Sequence, residues 1–278
     1  MKLEGTVALV TGASRGVGQA SALELARRGA DLVLAARTVS EPIPTMPGTL
    51  AETADAVRAL GRDALVVATD LNDMAAVEAL AAAALDWKGR VDVLVNNAAF
   101  LGRAAYHNLD ELSFKNFERQ FRVNVFAPFL LSQLLVPAMR AHGGGVIVNI
   151  TSGAGFIGEY TVPGITYGPT KAALNRLSTL LARDLETDNI AVFAIDPGFT
   201  LTVLVEQTSE QAGTDVSTAH PPEVPAAAVA DLVEADLAVT TGRVFKTVAG
   251  HAPYLMADSR EPMPAGREVD FLTGEGRP

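Results

Sequence analysis

Cysteine is absent from the 278-residue chain. That excludes disulfides, thiol nucleophiles and thiolate metal sites, and no metal is expected. Basic residues are in deficit, with 22 Lys and Arg against 32 Asp and Glu and a formal net charge of −10. An acidic balance of this size argues against a nucleic-acid or anionic-membrane surface. No apolar run free of charge, proline and glycine reaches the roughly 18 residues of a membrane span. The opening Met1-Lys2-Leu3-Glu4-Gly5 lacks the apolar core of a secretion signal, and the C-terminus carries no prenylation or peroxisomal signal. A soluble, cytoplasmic protein is expected. Hydrophobic residues make up 49% of the chain, enough for a full core. The length suits one large α/β domain or two small ones.

Short apolar runs alternate with helical periodicity along the chain. Strands are expected at residues 6–10, 31–36, 64–68, 91–95, 145–150, 190–195 and 243–248, and helices at 19–28, 51–60, 75–85, 114–141, 167–186 and 226–235. Strands alternating with helices imply a doubly wound parallel sheet of seven strands in a single domain, residues 1–250. Residues 38–50, with Pro42, Pro44, Pro47 and Gly48, read as an irregular insertion. Residues 199–225 read as a long irregular segment, typical of a mobile substrate lid. The tail from 251 to 278 is expected to stay loose or to pack on a partner subunit.

Four places carry chemistry. After the first strand, Thr11-Gly12-Ala13-Ser14-Arg15-Gly16-Val17-Gly18 opens a helix. A strand, a glycine-rich turn and a helix form the context of a dinucleotide site, because glycines admit the pyrophosphate and the helix N-terminus faces its charge. The second strand ends in Ala36-Arg37 rather than in a carboxylate. A carboxylate there would hold the ribose 2′-hydroxyl of NAD, whereas Arg37, with Arg15 as a second cation, suits the 2′-phosphate of NADP. Ser152 follows the fifth strand, at the carboxyl edge where such sheets bind ligands. Tyr167 and Lys171 lie four apart, one turn apart on one helix face. A phenol is a poor base at neutral pH, but a nearby ammonium favours the phenolate. The pair can deprotonate an alcohol or protonate a carbonyl oxygen.

Taken together, Thr11-Gly12-x-x-x-Gly16-x-Gly18, Asn96-Asn97-Ala98, Asn124, Ser152, Tyr167-x-x-x-Lys171 and Pro197-Gly198 resemble the short-chain dehydrogenase/reductase family over about residues 5–250. The resemblance implies a Rossmann fold and an NADP(H)-dependent oxidoreductase. In it Tyr167 would be the general acid/base, and Lys171 would bind the nicotinamide ribose and lower the tyrosine pKa. Ser152 would hold the substrate oxygen, and Asn124 would support a water in a proton relay. Gly12, Ser14, Arg15, Gly16, Val17 and Gly18 would cradle the cofactor. Asp70 and Leu71 would flank the adenine, Asn97 and Ala98 the adenosine ribose, and Pro197, Gly198, Thr200 and Thr202 the nicotinamide end. Two departures stand out. Ala99 replaces the glycine the family usually has after Asn-Asn-Ala, and Gly168-Pro169 is an unusual pair between Tyr167 and Lys171.

A competing reading is a cofactor-sensing regulatory or scaffold protein on the same fold, since fold does not dictate function; a sugar-nucleotide epimerase would need a longer substrate domain. Substrate-pocket candidates are Phe100, Phe156, Ile157, Tyr160, Phe199, Leu201, Leu204 and Val205, which suit a neutral, rather apolar small-molecule carbonyl or alcohol. The resemblance also implies a homo-oligomer, tetramer or dimer, paired through the helices at 114–141 and 167–186. Finally, Pro128 cannot offer an N–H to the carbonyl of Asn124 four residues earlier. A kink is expected near 124–128, with the freed carbonyl holding the relay water.

Overall fold

The computed structural model describes residues 1–101, 109–156, 165–212 and 215–258. Within them, eight strands form one sheet: β1 (Val7–Thr11), β2 (Asp31–Ala36), β3 (Ala64–Ala68), β4 (Val93–Asn96), β5 (Gly145–Ile150), β6 (Ile190–Asp196), β7 (Arg243–Lys246) and β8 (Tyr254–Asp258). Their order is β3-β2-β1-β4-β5-β6-β7-β8. The first seven run parallel, and β8 pairs antiparallel with β7. The helices are α1 (Gly16–Arg27), α2 (Leu50–Ala59), α3 (Met74–Lys88), α4 (Phe114–Phe121), α5 (Ala127–Ala141), α6 (Tyr167–Asp184), α7 (Val203–Ala212), α8 (Glu223–Glu234) and α9 (Leu237–Thr240).

The central strands are buried on both faces, which is why they read as unbroken apolar runs rather than as alternation. Ala8, Val10, Leu32, Leu34, Val146 and Val148 pack on Leu25 of α1, Val57 of α2 and Val229 of α8. Their alternate neighbours Leu9, Val33, Ile147 and Val192 pack on Leu80 of α3 and on Leu131, Leu135 and Met139 of α5. Each such valine, leucine, isoleucine or methionine side chain contributes about 2 kcal/mol by leaving water. The stretch Phe114–Ala141 is apolar and long enough to resemble a membrane span, but Leu131, Leu135 and Met139 are fully buried, so it is a core helix.

Helix ends follow local chemistry. Thr49 and Glu52 form a reciprocal capping box at α2. The Asp73 carboxylate accepts from Ala75 N–H to start α3, and Gly89, left-handed at φ 72°, ends it. Pro169 falls in the first turn of α6, which starts at Tyr167 after Thr166; its missing N–H has no intrahelical partner to lose there.

Three expectations need correction. The sheet has eight strands, not seven, because Tyr254–Asp258 adds antiparallel to β7 with a bulge at Val244/Phe245; the tail begins as an edge strand, and residues 259–278 lie outside the described residues. The supposedly irregular 199–225 segment contains α7. Its Thr-Val-Leu-Val opening gave little helical signal, because β-branched residues have modest helix propensity. The helix expected at 114–141 is interrupted. Arg122–Phe126 form a π-turn in which Ala127 N–H reaches back five residues to the Arg122 carbonyl. The disturbance expected beside Pro128 thus takes the form of one slackened turn between two α-helices.

Candidate active site

The strand order reverses between β1 and β4, and the crevice outside the carboxyl ends there is where open α/β sheets bind ligands. Thr11 buckles this switch point: its hydroxyl accepts from Asn97 and Ala98 N–H, both at 3.1 Å, and its carbonyl accepts from Asn97 Nδ2 at 2.9 Å. A cleft of about 780 Å³ opens above it, a size suited to a large cofactor and a small substrate.

Most of the residues expected from the sequence line this cleft: Gly12, Ser14, Arg15, Gly16 and Val17 from the turn, Arg37 after β2, Asp70 and Leu71 after β3, and Asn97 and Ala98 after β4. Ser152, Tyr167 and Lys171 line it from β5 and α6, and Pro197, Gly198, Thr200 and Thr202 from beyond β6. Two do not. Gly18 sits behind the turn, where a Cβ would collide with Asn97 Nδ2 and the Gly12 carbonyl, so it lets α1 approach β1 and β4. Asn124 is 1% exposed and its side chain is already engaged. Its Oδ1 accepts from Phe100 N–H at 2.7 Å, and its Nδ2 donates to the Phe100 carbonyl at 3.1 Å and to Thr170 Oγ1 at 3.0 Å. It clamps the loop after β4 to α6, beside Lys171.

Lys171 is among the largest fully buried side chains of the described residues. Its ammonium donates to the Ile150 carbonyl at 2.8 Å and lies 5.5 Å from the centroid of the Tyr167 ring. Burial pulls its pKa down to about 8, against the opposing pull of the Asp196 charge. Ser152 Oγ accepts from Ala154 N–H at 3.3 Å, which leaves its own proton free to donate into the cleft. Asp196 Oδ1 accepts from Gly198 N–H at 3.0 Å and so shapes the Pro197-Gly198 turn. Gly198 is left-handed at φ 69°, and a Cβ there would approach the Thr247 carbonyl to 2.6 Å.

Of the expected substrate-pocket residues, Phe100, Phe199, Leu204 and Val205 line the cleft; Phe156 and Leu201 do not. The Leu201 N–H bonds the His220 carbonyl at 2.8 Å. Ile157 and Tyr160 lie outside the described residues. The cleft wall also includes Thr38, Met46, Arg119 and Lys246, which the motifs did not indicate. Thr38 and Met46 had a signal in their place within the insertion straight after β2. Arg119 stacks 4.3 Å over the Phe100 ring, and nothing in its sequence context marks that contact.

The dinucleotide fits these residues: a glycine turn with left-handed Gly12 and Gly16 at φ 68° and 56° leaves backbone open to the cleft, and two arginines flank it. The model of the short chain dehydrogenase family matches residues 6–213. The chain is a short-chain dehydrogenase/reductase. As a member of that family it is an oxidoreductase that uses a nicotinamide cofactor on a small-molecule substrate. It is 38% identical to an uncharacterised oxidoreductase of Thermotoga maritima over 72% of this chain and 74% of the relative. L-sorbose reductase from Gluconobacter frateurii, solved with NADPH and L-sorbose, superposes with a TM-score of 0.77 at 29% identity, covering 90% of this chain and 98% of that one. A 7α-hydroxysteroid dehydrogenase, solved with NADH and 7-oxo glycochenodeoxycholic acid, superposes at 0.74 with 30% identity over 91% and 97%. This short-chain dehydrogenase/reductase therefore has neighbours with either cofactor, and its own residues must carry the choice.

Proposed function

We propose that the protein is an NADP(H)-dependent oxidoreductase that interconverts a neutral, rather apolar ketone or aldehyde with its alcohol, with Tyr167 as general acid/base. The observation that carries this reading is the buried Lys171 ammonium beside the Tyr167 ring on the wall of the dinucleotide-sized cleft. When bound, the nicotinamide gives or takes the hydride. Ser152 donates its hydroxyl proton to the substrate oxygen and orients it. The Tyr167 hydroxyl gives its proton to that oxygen in reduction and takes it back in oxidation. Lys171 stabilises the phenolate and holds the nicotinamide ribose. Asn124, through its carbonyl, supports a water that resupplies Lys171.

Arg15 and Arg37 support NADP(H). Arg15 has its pKa lowered, first by burial and then by the Arg37 charge; two cations that repel across a cleft gain most from a shared phosphate. Each contact can be worth roughly 1.5–3 kcal/mol. Arg37→Asp should therefore shift the ratio of kcat/KM for NADPH over NADH by at least about tenfold toward NADH. Wild-type efficiency equal with both cofactors would refute the assignment. Phe100, Phe199, Leu204 and Val205 support an apolar substrate; a carbonyl panel in which only phosphorylated or acyl-carrier substrates turned over would contradict it.

A homotetramer is part of the same proposal. Phe126, Phe129 and, on α6, Leu180 are 49%, 44% and 47% exposed, and pairing of these helices would cover them. Light scattering at micromolar concentration should give the tetramer mass, and Phe129→Glu should lower it; a wild-type monomer would remove this part.

A further inference from the structure

The insertion at 38–50 is built into the cofactor cleft. Gly48 is left-handed at φ 102° and sits so close to the glycine-rich turn that a Cβ would collide with the Ser14 carbonyl oxygen and stand 3.0 Å from Arg15 Cβ. The Gly48 carbonyl accepts from Arg15 Nη2 at 3.0 Å, and Thr38 Oγ1 accepts from the same nitrogen at 3.2 Å. Arg15 Nε is buried and has no acceptor among the described residues, while the side chain lines the cleft with Arg37.

The segment is anchored at both ends. Leu50 N–H bonds the Thr38 carbonyl at 3.0 Å, and Ala51 N–H bonds the Val39 carbonyl at 2.9 Å, closing the loop on itself. The α2 capping box begins at Thr49, directly after Gly48. Between the anchors, Met46 N–H bonds the Ile43 carbonyl at 2.8 Å in a tight turn. Gln207 Nε2 of α7 donates to the Thr45 carbonyl at 2.5 Å. Gly48 is thus a fixed point, and the acceptor it offers Arg15 does not wander. A guanidinium is planar, so two acceptors on one nitrogen restrict the orientation of its remaining donors.

We propose that Gly48 is a positioning residue for cofactor choice: through its carbonyl and its close seat on the turn, the 38–50 insertion holds Arg15 ready for the adenosine phosphate of NADP(H). The inference rests on the NADP(H) reading above and adds to it a residue outside the cofactor motifs. A free arginine loses rotamer freedom on gripping a phosphate; one already held loses less. Only glycine permits both the left-handed backbone and the close approach at this point.

The test is fluorescence titration of the full-length protein with NADPH and with NADH. Gly48→Ala should weaken NADPH binding on the order of tenfold, the size of one charge-assisted hydrogen bond, and NADH binding much less. General damage to the fold would weaken both alike, so the ratio separates positioning from mere structure. Thr38→Val, which removes the second acceptor and keeps the backbone, should move the ratio in the same direction and carries the test if Gly48→Ala does not fold. A wild type without NADPH preference would sink the NADP(H) reading and this inference together. A wild-type preference that survives in both variants would overturn the role of Gly48 alone.

Discussion

Tyr167→Phe should lose turnover by roughly 10³-fold, within the range that a positioned general acid/base contributes, while cofactor affinity stays within about twofold by the same reasoning. The substitution removes one hydroxyl. It keeps the ring whose face the Lys171 ammonium meets at 5.5 Å, and it keeps the helix start at Tyr167 after Thr166. Lys171, Ser152 and the glycine-rich turn remain as they were. Steady-state kinetics and a binding titration on the same preparation check this. Retention of more than about a tenth of the rate would mean that another group moves the proton.

Lys171→Met should be at least as damaging to turnover and should also weaken cofactor binding, because one side chain serves the phenol and the ribose. Its effect on stability should go the other way. Burial holds the Lys171 pKa at about 8, well below the ordinary lysine value, so the folded protein carries an ammonium at neutral pH at a cost on the order of a few kcal/mol. A methionine of similar length removes that cost and forfeits the hydrogen bond to the Ile150 carbonyl, worth about 1 kcal/mol. The cofactor-free variant is therefore expected to melt at or above the wild-type temperature at pH 7. The pH dependence has a definite sign. Between about 8 and 10.5 the unfolded chain binds more protons at this site than the folded one, so wild-type stability gains with rising pH and the advantage of the variant shrinks. Below pH 8 the cost is fully present. A variant that melts well below wild type at pH 7 would show that Lys171 stabilises the fold instead of straining it.

The corrections share a cause. Gly18 belongs to the motif yet faces away from the cleft, because its use is close approach between α1, Gly12 and Asn97; a spacing pattern does not distinguish a glycine that admits a ligand from one that admits a neighbouring element. The Asn124 side chain ties Phe100 to Thr170, a pairing across 24 and 46 residues that no local pattern announces and that leaves the relay proposed for its carbonyl untouched. The eighth strand is harder to read from sequence because its short apolar run, Tyr254-Leu255-Met256-Ala257, lies half-exposed at the sheet edge, directly after Pro253 and before a polar tail. The helix α7 gives a weak sequence signal because its β-branched Val203 and Val205 are modest helix formers.

By itself the sequence determined the parallel doubly wound sheet, the glycine-rich turn at its switch point and the Tyr167–Lys171 pair. These are encoded locally: buried strands need unbroken apolar runs, a strand-to-helix turn needs glycine, and a helix brings residues four apart onto one face. Only the tertiary structure decided what those groups meet. It buried the Lys171 ammonium against Ile150 and so lowered its pKa, brought Arg15 and Arg37 within range of each other's charge, and folded Gly48 back onto Arg15 across 33 residues. Burial, charge proximity and long-range hydrogen bonds depend on distances between segments remote in the chain, and those distances exist only once the sheet has brought the segments together.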